Sequence, residues 1–295
     1  MRSRRYSADG SARTTLAWQD QVRAELFSLL QLSDLRAGST ILFDTQPVNS
    51  TVHDGFTCSE CTIAATPTRR MPIVVTFPEN GLGNLPAVVC LHGHGGDRYS
   101  VHDTASIYKG FAAELAQRGF ATIAVDVGQH EVYEEKRLLM GERLWDCLRA
   151  VDWLSANPRV DGSRIGCAGL SLGGEMAMWL GAMDTRITAE VSAGFLTTMD
   201  QMEQNHCMCW KFGGLRQLVD YADIYALTAP RALQCQNGEQ ESETQFFVPL
   251  ARRAMTEIEP AYRDLRATDR LSLHVHPGAH EIDLTALLEF FDTWL

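Results

Sequence analysis

Hydrophobic and polar positions show two different periodicities along this chain, one typical of helices and one typical of strands. Aliphatic residues recur at helical spacing over residues 15–32, which predicts an N-terminal helix. Residues 55–66 and 71–78 are rich in Thr, Val, Ile and Phe and are separated by "TPTRRMP". This pattern predicts two antiparallel strands at the edge of a sheet.

From residue 86 onward, short apolar runs alternate with segments of helical periodicity. The predicted strands lie in "AVVCLHGHGG", "FATIAVDVG", "RIGCAG", "ITAEVSAGF", "RALQCQNG" and "LSLHVHPG", and the predicted helices lie in residues 106–119, 144–157, 172–183, 245–258 and 284–291. Such alternation indicates an α/β fold with a mostly parallel central sheet, helices on both faces and antiparallel N-terminal edge strands. Functional groups are then expected in the loops at the carboxyl ends of the strands.

Three segments are predicted from this pattern. Residues 1–14 begin with arginines and have no apolar segment after them, so they predict a disordered tail rather than a secretory signal. This favours a cytoplasmic protein, although a mature chain that had lost its signal would read the same way. Residues 15–295 are predicted to form a single domain. Within it, residues 196–229 are longer than a connection requires and predict a lid-like insertion over the strand ends.

Composition excludes several classes of partner. The 295-residue chain carries a formal net charge of −11, which disfavours nucleic-acid binding. It has no apolar run near the roughly 18 residues that a membrane span requires. Its length suffices for a large hydrophobic core, and its composition is that of a soluble globular protein.

A serine lies between glycines where a predicted strand becomes a predicted helix. Residues 169–173 read GLSLG, which fits the G-x-S-x-G pattern. In such a turn the flanking glycines avoid a collision with the neighbouring strand and helix, and the Ser171 hydroxyl is held at a helix N-terminus. The alternative is a glycine-rich turn with an incidental serine. The strand before it and the helix after it favour a nucleophile.

A serine nucleophile requires a base, and His280 is the best candidate among the nine histidines. His280 follows the last predicted strand and precedes the last helix, so it lies at the functional edge. His274 and His276 alternate within the strand itself and are interpreted as structural.

The base requires an acid to orient it, and the segment after "RALQCQN" offers three. Glu241 is the first choice because it comes just past the predicted strand end. Glu239 and Glu243 compete with it, and each is otherwise a solvated loop charge.

Two backbone N–H groups are needed to stabilise a tetrahedral oxyanion. The N–H of Leu172, directly after the serine, is one candidate. The other is the N–H of His94, in the glycine-rich loop "LHGHGG". The side chains of His92 and His94 are interpreted as structural hydrogen-bonding groups. A metal site at H-x-H lacks a nearby carboxylate pair.

Eight cysteines raise a separate question about zinc. Four lie inside apolar strand or helix patterns and read as small buried hydrophobes. The pairs Cys58 with Cys61 and Cys207 with Cys209 could together offer four thiolates to zinc. However, the C-x-C spacing of the second pair is poor for a tetrahedral site, so no metal and no cofactor are predicted.

The order Ser171, Glu241, His280 with an upstream "LHGHGG" loop resembles the α/β-hydrolase superfamily over about residues 70–295. Within it, "GLSLGGEMAMWLGAMDTRI", "DYADIYALTAPRALQCQNGE" and "GAH" are similar to the dienelactone-hydrolase and acetyl-xylan-esterase-like branch. The resemblance implies a carboxylesterase acting on small esters or on acetylated or methyl-esterified carbohydrates. The acid is Glu rather than the usual Asp, and a serine stands where a true dienelactone hydrolase has Cys.

These observations predict a cofactor-free serine esterase that hydrolyses small acyl or carbohydrate esters through an acyl-enzyme. Asn205, His206 and Trp210 are candidate substrate-binding residues because they follow a strand in the insertion. Trp210 could equally anchor the insertion in the core. Alternatives are an amidase or peptidase of the same fold, a non-catalytic binding module and a zinc-stapled interaction protein. The acyl group, the alcohol and the oligomeric state are left open.

Overall fold

A computed structural model describes residues 2–37, 42–79 and 83–295. Within these residues, nine strands form one sheet in the order β1-β2-β3-β5-β4-β6-β7-β8-β9. The strands are β1 Gln46–His53, β2 Phe56–Ala64, β3 Arg70–Pro78, β4 Leu85–Leu91, β5 Ala121–Val125, β6 Val160–Leu170, β7 Ile187–Ala193, β8 Ala232–Gly238 and β9 Leu271–His276. The pairs β1–β2, β2–β3 and β3–β5 are antiparallel, and all remaining neighbours are parallel.

Helices cover both faces of this sheet. They are α1 Ala12–Leu29, α2 Ser33–Ala37, α3 Phe111–Gln117, α4 Leu139–Ala156, α5 Leu172–Met183, α6 Met199–Asn205, α7 Leu215–Leu218, α8 Tyr221–Ala226, α9 Val248–Asp264 and α10 Leu284–Trp294. Short 3₁₀ helices lie at Ser100–His102, Met208–Trp210 and Thr268–Arg270. In the described ranges, no helix combines the length and apolarity that crossing a bilayer demands.

The central strands are buried on both faces. On β4, Val89 and Leu91 belong to the larger core cluster, whereas Val88 and Cys90 belong to the smaller cluster on the other side. Successive side chains of a strand point to opposite faces, so both faces need cover. This explains why the parallel strands read as continuous apolar runs, and it confirms the predicted α/β fold with antiparallel edge strands.

Strand β1 and the start of helix α3 differ from the prediction. Strand β1 was not predicted, because all of its residues are exposed and it has no alternating pattern. Its residues are strand only through pairing with β2. Helix α3 begins at Phe111 rather than near residue 106, because Lys109 and Gly110 both have positive φ and interrupt the helical backbone.

The N-terminal segment is bound to the domain where a disordered tail was predicted. Ser3 N–H donates to the Gln217 carbonyl at 2.8 Å, and Arg2 pairs with Glu257 at 2.6 Å. Tyr6 Oη donates to Asp264 at 2.7 Å. Helix α1 already begins at Ala12. The contacts are polar and long-range, so no local apolar pattern could reveal them; Met1 lies outside the described residues.

The insertion over residues 196–229 contains α6, the second 3₁₀ helix, α7 and α8, and it has an apolar base. Trp210 is 1% exposed and packs edge-on against Tyr221, with ring centroids 5.7 Å apart. Tyr221 in turn packs against Phe195 at 4.9 Å. The prediction that Trp210 contacts substrate is therefore corrected: its ring lies in the core.

The turn from β6 into α5 brings backbones into direct contact. A Cβ on Gly169 would overlap the Gly173 carbonyl, and a Cβ on Gly173 would overlap the Leu91 carbonyl on β4. Ser171, between them, has φ of 62° and ψ of −122°. Positive φ is costly for a residue with a side chain, so the surrounding packing must enforce it.

We expect Gly169→Ala to lower the free energy of unfolding by at least about 2 kcal/mol, because the new methyl group meets rigid backbone. Gly162→Ala, on the same strand, is the matched control, since its nearest neighbours would lie 3.9 Å or more away. That control should stay within about 0.5 kcal/mol of wild type. Chemical denaturation measures both. Equal stability of the two variants would contradict the close approach at Gly169.

Trp210→Ala should lower the free energy of unfolding by about 3–5 kcal/mol, the usual cost of removing a buried aromatic ring. Met208→Ala, two residues earlier and 41% exposed, is the control and should change stability little. Thermal unfolding separates the two. Wild-type stability of Trp210→Ala, together with altered selectivity among substrates, would restore Trp210 as a substrate contact.

Candidate active site

Ser171 lies at the C-terminal edge of the sheet, between β6 and α5. Its N–H donates to the Ala193 carbonyl at 2.9 Å, and its own carbonyl accepts from Glu175 N–H at 2.9 Å. Its side chain is half-buried. The hydroxyl therefore stands at the N-terminus of the twelve-residue helix α5, where the peptide dipoles favour negative charge.

His280 and Glu241 form a hydrogen-bonded pair at the same edge. His280 Nδ1 lies 3.0 Å from both carboxylate oxygens of Glu241. The Glu241 side chain is 3% exposed and that of His280 is 34% exposed. In the described residues, Glu239 and Glu243 are both exposed, and neither forms a hydrogen bond or ion pair with His280. Of the three candidate acids, Glu241 is the one that the structure joins to the base.

Hydrogen bonds between two loops hold that pair in place. Glu239 N–H donates to the His276 carbonyl at 2.8 Å, and Gln240 N–H donates to the Gly278 carbonyl at 3.0 Å. The loops after β8 and β9 are thus joined by their backbones. Glu241 and His280 therefore lie on two loops that are hydrogen-bonded to each other.

Gly194 connects this unit to the serine. A Cβ on Gly194 would lie 2.8 Å from His280 Cε1 and 3.0 Å from Leu170 Cδ1, so the imidazole rests directly on this backbone. The preceding carbonyl, of Ala193, accepts from the Ser171 N–H. Across the described residues, no hydrogen bond joins Ser171 Oγ to His280. Such catalytic contacts often tighten only when substrate binds.

The loop after β4 approaches Ser171 from the other side. A Cβ on Gly93 would lie 3.0 Å from Ser171 Cβ, and the Gly93 N–H donates to Tyr108 Oη at 2.7 Å. In the described part of the chain, the N–H groups of His94 and Leu172 have no protein acceptor. Tyr108 was missed by sequence reasoning, because it lies in a segment whose pattern predicts only a helix.

His92 is a structural group, as predicted. It is 1% exposed, with Nδ1 2.8 Å from the Gly93 carbonyl and Nε2 accepting from Val127 N–H at 3.1 Å. Burial lowers its pKa. Both nitrogens are engaged by backbone groups, which fixes the loop that carries His94.

His274 and His276 remain on β9, where the alternation placed them. His274 Nε2 lies 2.9 Å from Asp283 Oδ2, and His276 is 5% exposed. His274 thus bonds the N-cap residue of α10, and the His276 ring stacks on that of His274 with centroids 6.3 Å apart.

The insertion reaches the active edge through a series of aromatic rings. Phe246 stacks on His280 with centroids 5.5 Å apart. His206 packs against Phe246 at 5.7 Å and against His94 at 5.4 Å. Asn205 is exposed, and its side chain donates back to the Gln201 carbonyl at 3.2 Å. Of the three predicted substrate-binding residues, His206 lies near the Glu241–His280 pair, separated from His280 by the Phe246 ring. Asn205 is exposed, and Trp210 is buried in the core.

A second cluster of side chains adjoins this edge. One ligand atom from each of His94, His130, Cys207 and Cys209 lies within 4.8 Å of the others. Burial, together with nearby His206 and Arg143, lowers the pKa of His94 to about 4. Sequence reasoning missed His130, whose only signal is its place in the loop after β5.

The four-thiolate grouping that the sequence analysis considered and set aside does not form in the described residues. Cys58 and Cys61 lie on β2 and are absent from that cluster, so the two cysteine pairs do not meet. The side chains near Cys207 and Cys209 are instead those of His94 and His130.

Comparisons with known proteins agree with this architecture. The family model named BD-FAE matches residues 74–246, a segment that includes Ser171 and Glu241 and ends before His280. "Putative hydrolase YtaP" of Bacillus subtilis (strain 168) is 28% identical over 188 residues, covering 55% of this chain and 62% of that protein. The chain spans less than two thirds of the length of the curated relatives it matches.

Solved structures share the fold at low sequence identity. A "putative acetyl xylan esterase" from Bacteroides fragilis NCTC 9343 superposes with a TM-score of 0.78 at 17% identity, covering 93% of this chain and 78% of that one. A glucuronoyl esterase from Solibacter usitatus has a TM-score of 0.71 at 15% identity, covering 96% and 93%. The family match extends over more than half of the chain and includes the serine turn. The chain therefore belongs to the BD-FAE family, within the α/β-hydrolase superfamily.

Proposed function

We propose that this protein is a serine carboxylesterase that hydrolyses small acyl esters or acetyl and methyl esters of carbohydrates. The observation that carries the proposal is the Glu241–His280 pair, which lies beside the strained Ser171 turn at one sheet edge. The names of the relatives, a hydrolase, an acetyl xylan esterase and a glucuronoyl esterase, support ester chemistry.

In the first step Ser171 Oγ attacks the ester carbonyl and loses its proton to His280 Nε2. Glu241 accepts a hydrogen bond from Nδ1–H, which leaves Nε2 free to act as the base and stabilises the imidazolium that forms. Because Glu241 is nearly buried, this carboxylate acts with little screening by water.

The negative charge that develops on the carbonyl oxygen requires donors already aimed at it. The N–H groups of Leu172 and His94 serve this role, since neither has a protein acceptor in the described residues and both flank Ser171. The Tyr108 hydroxyl accepts from the Gly93 N–H and so positions the loop that presents His94.

The tetrahedral intermediate then collapses, and His280 returns its proton to the departing alcohol. Water, activated by the same imidazole, attacks the acyl-Ser171 ester and releases the acid. These steps use only protein groups, so the mechanism requires no cofactor. His206 and Asn205 at the rim are suited to hydrogen-bond an alcohol or sugar hydroxyl.

Ser171→Ala should reduce kcat for p-nitrophenyl acetate by about 10⁶-fold, because the nucleophile is lost. Ser163→Ala, an exposed serine on the same strand, is the matched control and should retain full activity. A fluorophosphonate probe should label wild type and Ser163→Ala on Ser171, but not Ser171→Ala.

The assay is best run on a panel that adds acetylated and methyl-esterified sugars and the corresponding amides. Turnover by folded Ser171→Ala at near wild-type rates would remove the serine mechanism. Faster cleavage of amides than of esters would replace the esterase assignment with the amidase alternative.

Glu241→Gln should lower kcat by about 10³–10⁴-fold, because an amide cannot stabilise the imidazolium of His280. Glu239→Gln is the control; in the described residues Glu239 is exposed and forms no hydrogen bond or ion pair with His280, so its activity should stay close to wild type. Steady-state kinetics on one ester measures both. A severe loss in the control with a mild loss in Glu241→Gln would move the acid to the neighbouring residue.

A further inference from the structure

Four potential metal ligands converge from three separate parts of the chain. His94 comes from the loop after β4, His130 from the loop after β5, and Cys207 and Cys209 from the 3₁₀ turn of the insertion. Their ligand atoms all lie within 4.8 Å of one another. Residues so distant in sequence do not meet in this way through local structure alone.

The distances suit a tetrahedral ion. Zinc binds thiolate sulfur at about 2.3 Å and imidazole nitrogen at about 2.0 Å, so ligand atoms on its tetrahedron lie about 3.3–3.8 Å apart. His94 Nε2 lies 3.2 Å from Cys209 Sγ, and His130 Nε2 lies 3.4 Å from Cys207 Sγ. Both distances agree with neighbouring corners of one tetrahedron.

The C-x-C spacing fits because the backbone bends between the two cysteines. Cys207 precedes the 3₁₀ helix, with φ of −54° and ψ of 134°, whereas Cys209 lies inside it. The bend turns both sulfurs toward the two histidines. The sequence alone predicts that the C-x-C spacing is too narrow for a tetrahedral site, because the spacing does not show this bend.

Arg143 forms hydrogen bonds to two of the segments that carry these four side chains. Its buried guanidinium donates to Cys209 Sγ at 3.4 Å and to the carbonyl of Gln129, the residue before His130. One side chain thus holds both the sulfur-bearing turn and the loop that carries His130.

From this geometry we infer that His94, His130, Cys207 and Cys209 bind one Zn²⁺ ion. Two sulfur and two nitrogen ligands in tetrahedral arrangement are the donor set of closed, structural zinc sites, in contrast to catalytic sites that keep an open position. As the ion binds, each thiol loses its proton to solvent, and the ion exchanges water ligands for sulfur and nitrogen. His130 and Cys207 are exposed, which gives the ion a path of entry.

The ion would fasten the insertion to the loop whose backbone N–H groups face Ser171. The His94 side chain binds the metal while its N–H remains available to an oxyanion. Only this last consequence depends on the proposed esterase function. Metal binding itself depends on the four side chains and not on whether the protein hydrolyses esters.

The test measures metal directly. Reduced, metal-free protein is titrated with ZnCl₂, and bound zinc is counted by mass spectrometry of the elements after gel filtration. We expect one zinc per chain. With CoCl₂ instead, the absorption spectrum should show the d–d bands of tetrahedral cobalt and a thiolate charge-transfer band. Zinc should also raise the thermal midpoint, because it binds the folded state.

The variant pair Cys207→Ser/Cys209→Ser should bind no zinc at stoichiometric concentration. The matched control Cys58→Ser/Cys61→Ser removes two thiols on β2 and should still bind one zinc. His130→Ala changes an exposed residue and should weaken zinc affinity by at least about tenfold, the loss caused even by removing an outer-shell partner. This single variant keeps the test informative if the double variant fails to fold.

Three outcomes would overturn the inference. They are a folded wild type that binds no zinc, zinc binding that survives loss of Cys207 and Cys209, and a Cys207–Cys209 disulfide in place of a metal site. Each is independent of ester hydrolysis. Labelling of Ser171 by the fluorophosphonate can succeed while zinc binding fails, and zinc can bind while the labelling fails. Each proposal can therefore be refuted without the other.

Discussion

The strained backbone of Ser171 is the constraint on which the rest of the site depends. Helix α5 lies directly on the backbones of neighbouring strands, because Gly169 and Gly173 have no side chains to separate them. The chain can pass from β6 into α5 over so short a distance only if Ser171 adopts positive φ. The position of the Ser171 hydroxyl is therefore set by how helix α5 packs on the sheet rather than by its own loop.

Glycines also allow close backbone contacts at two other places around the serine. Gly93 and Gly194 bring the backbone of two further loops against Ser171 and His280. Each loop is then held by a hydrogen bond: the Gly93 N–H donates to Tyr108 Oη, and the Gly194 N–H donates to the Gln236 carbonyl on β8. Close backbone contacts of this kind hold the side chains of Ser171, Glu241 and His280 at one edge of the sheet.

The fold and the Glu241–His280 pair were accessible from sequence because each follows a strand with a clear apolar pattern. Position after a parallel strand places a residue at the functional edge, whatever the rest of the chain does. The burial of Trp210 and the meeting of His130 with Cys207 were not accessible. Both depend on contacts between segments that are remote in sequence, and neither has a local pattern that differs from that of an ordinary loop.

Strand β1 has a consequence for how this molecule behaves at high concentration. It is one of the two edge strands of the sheet in the described residues, and an unpaired strand edge is a template on which another chain can add. Its pairing with β2 shifts register between Pro47 and Asn49, and proline lacks the N–H that a new neighbour would need. Val52 on this strand is 70% exposed and would favour contact with another copy. The register shift and the proline oppose edge-to-edge aggregation of folded copies.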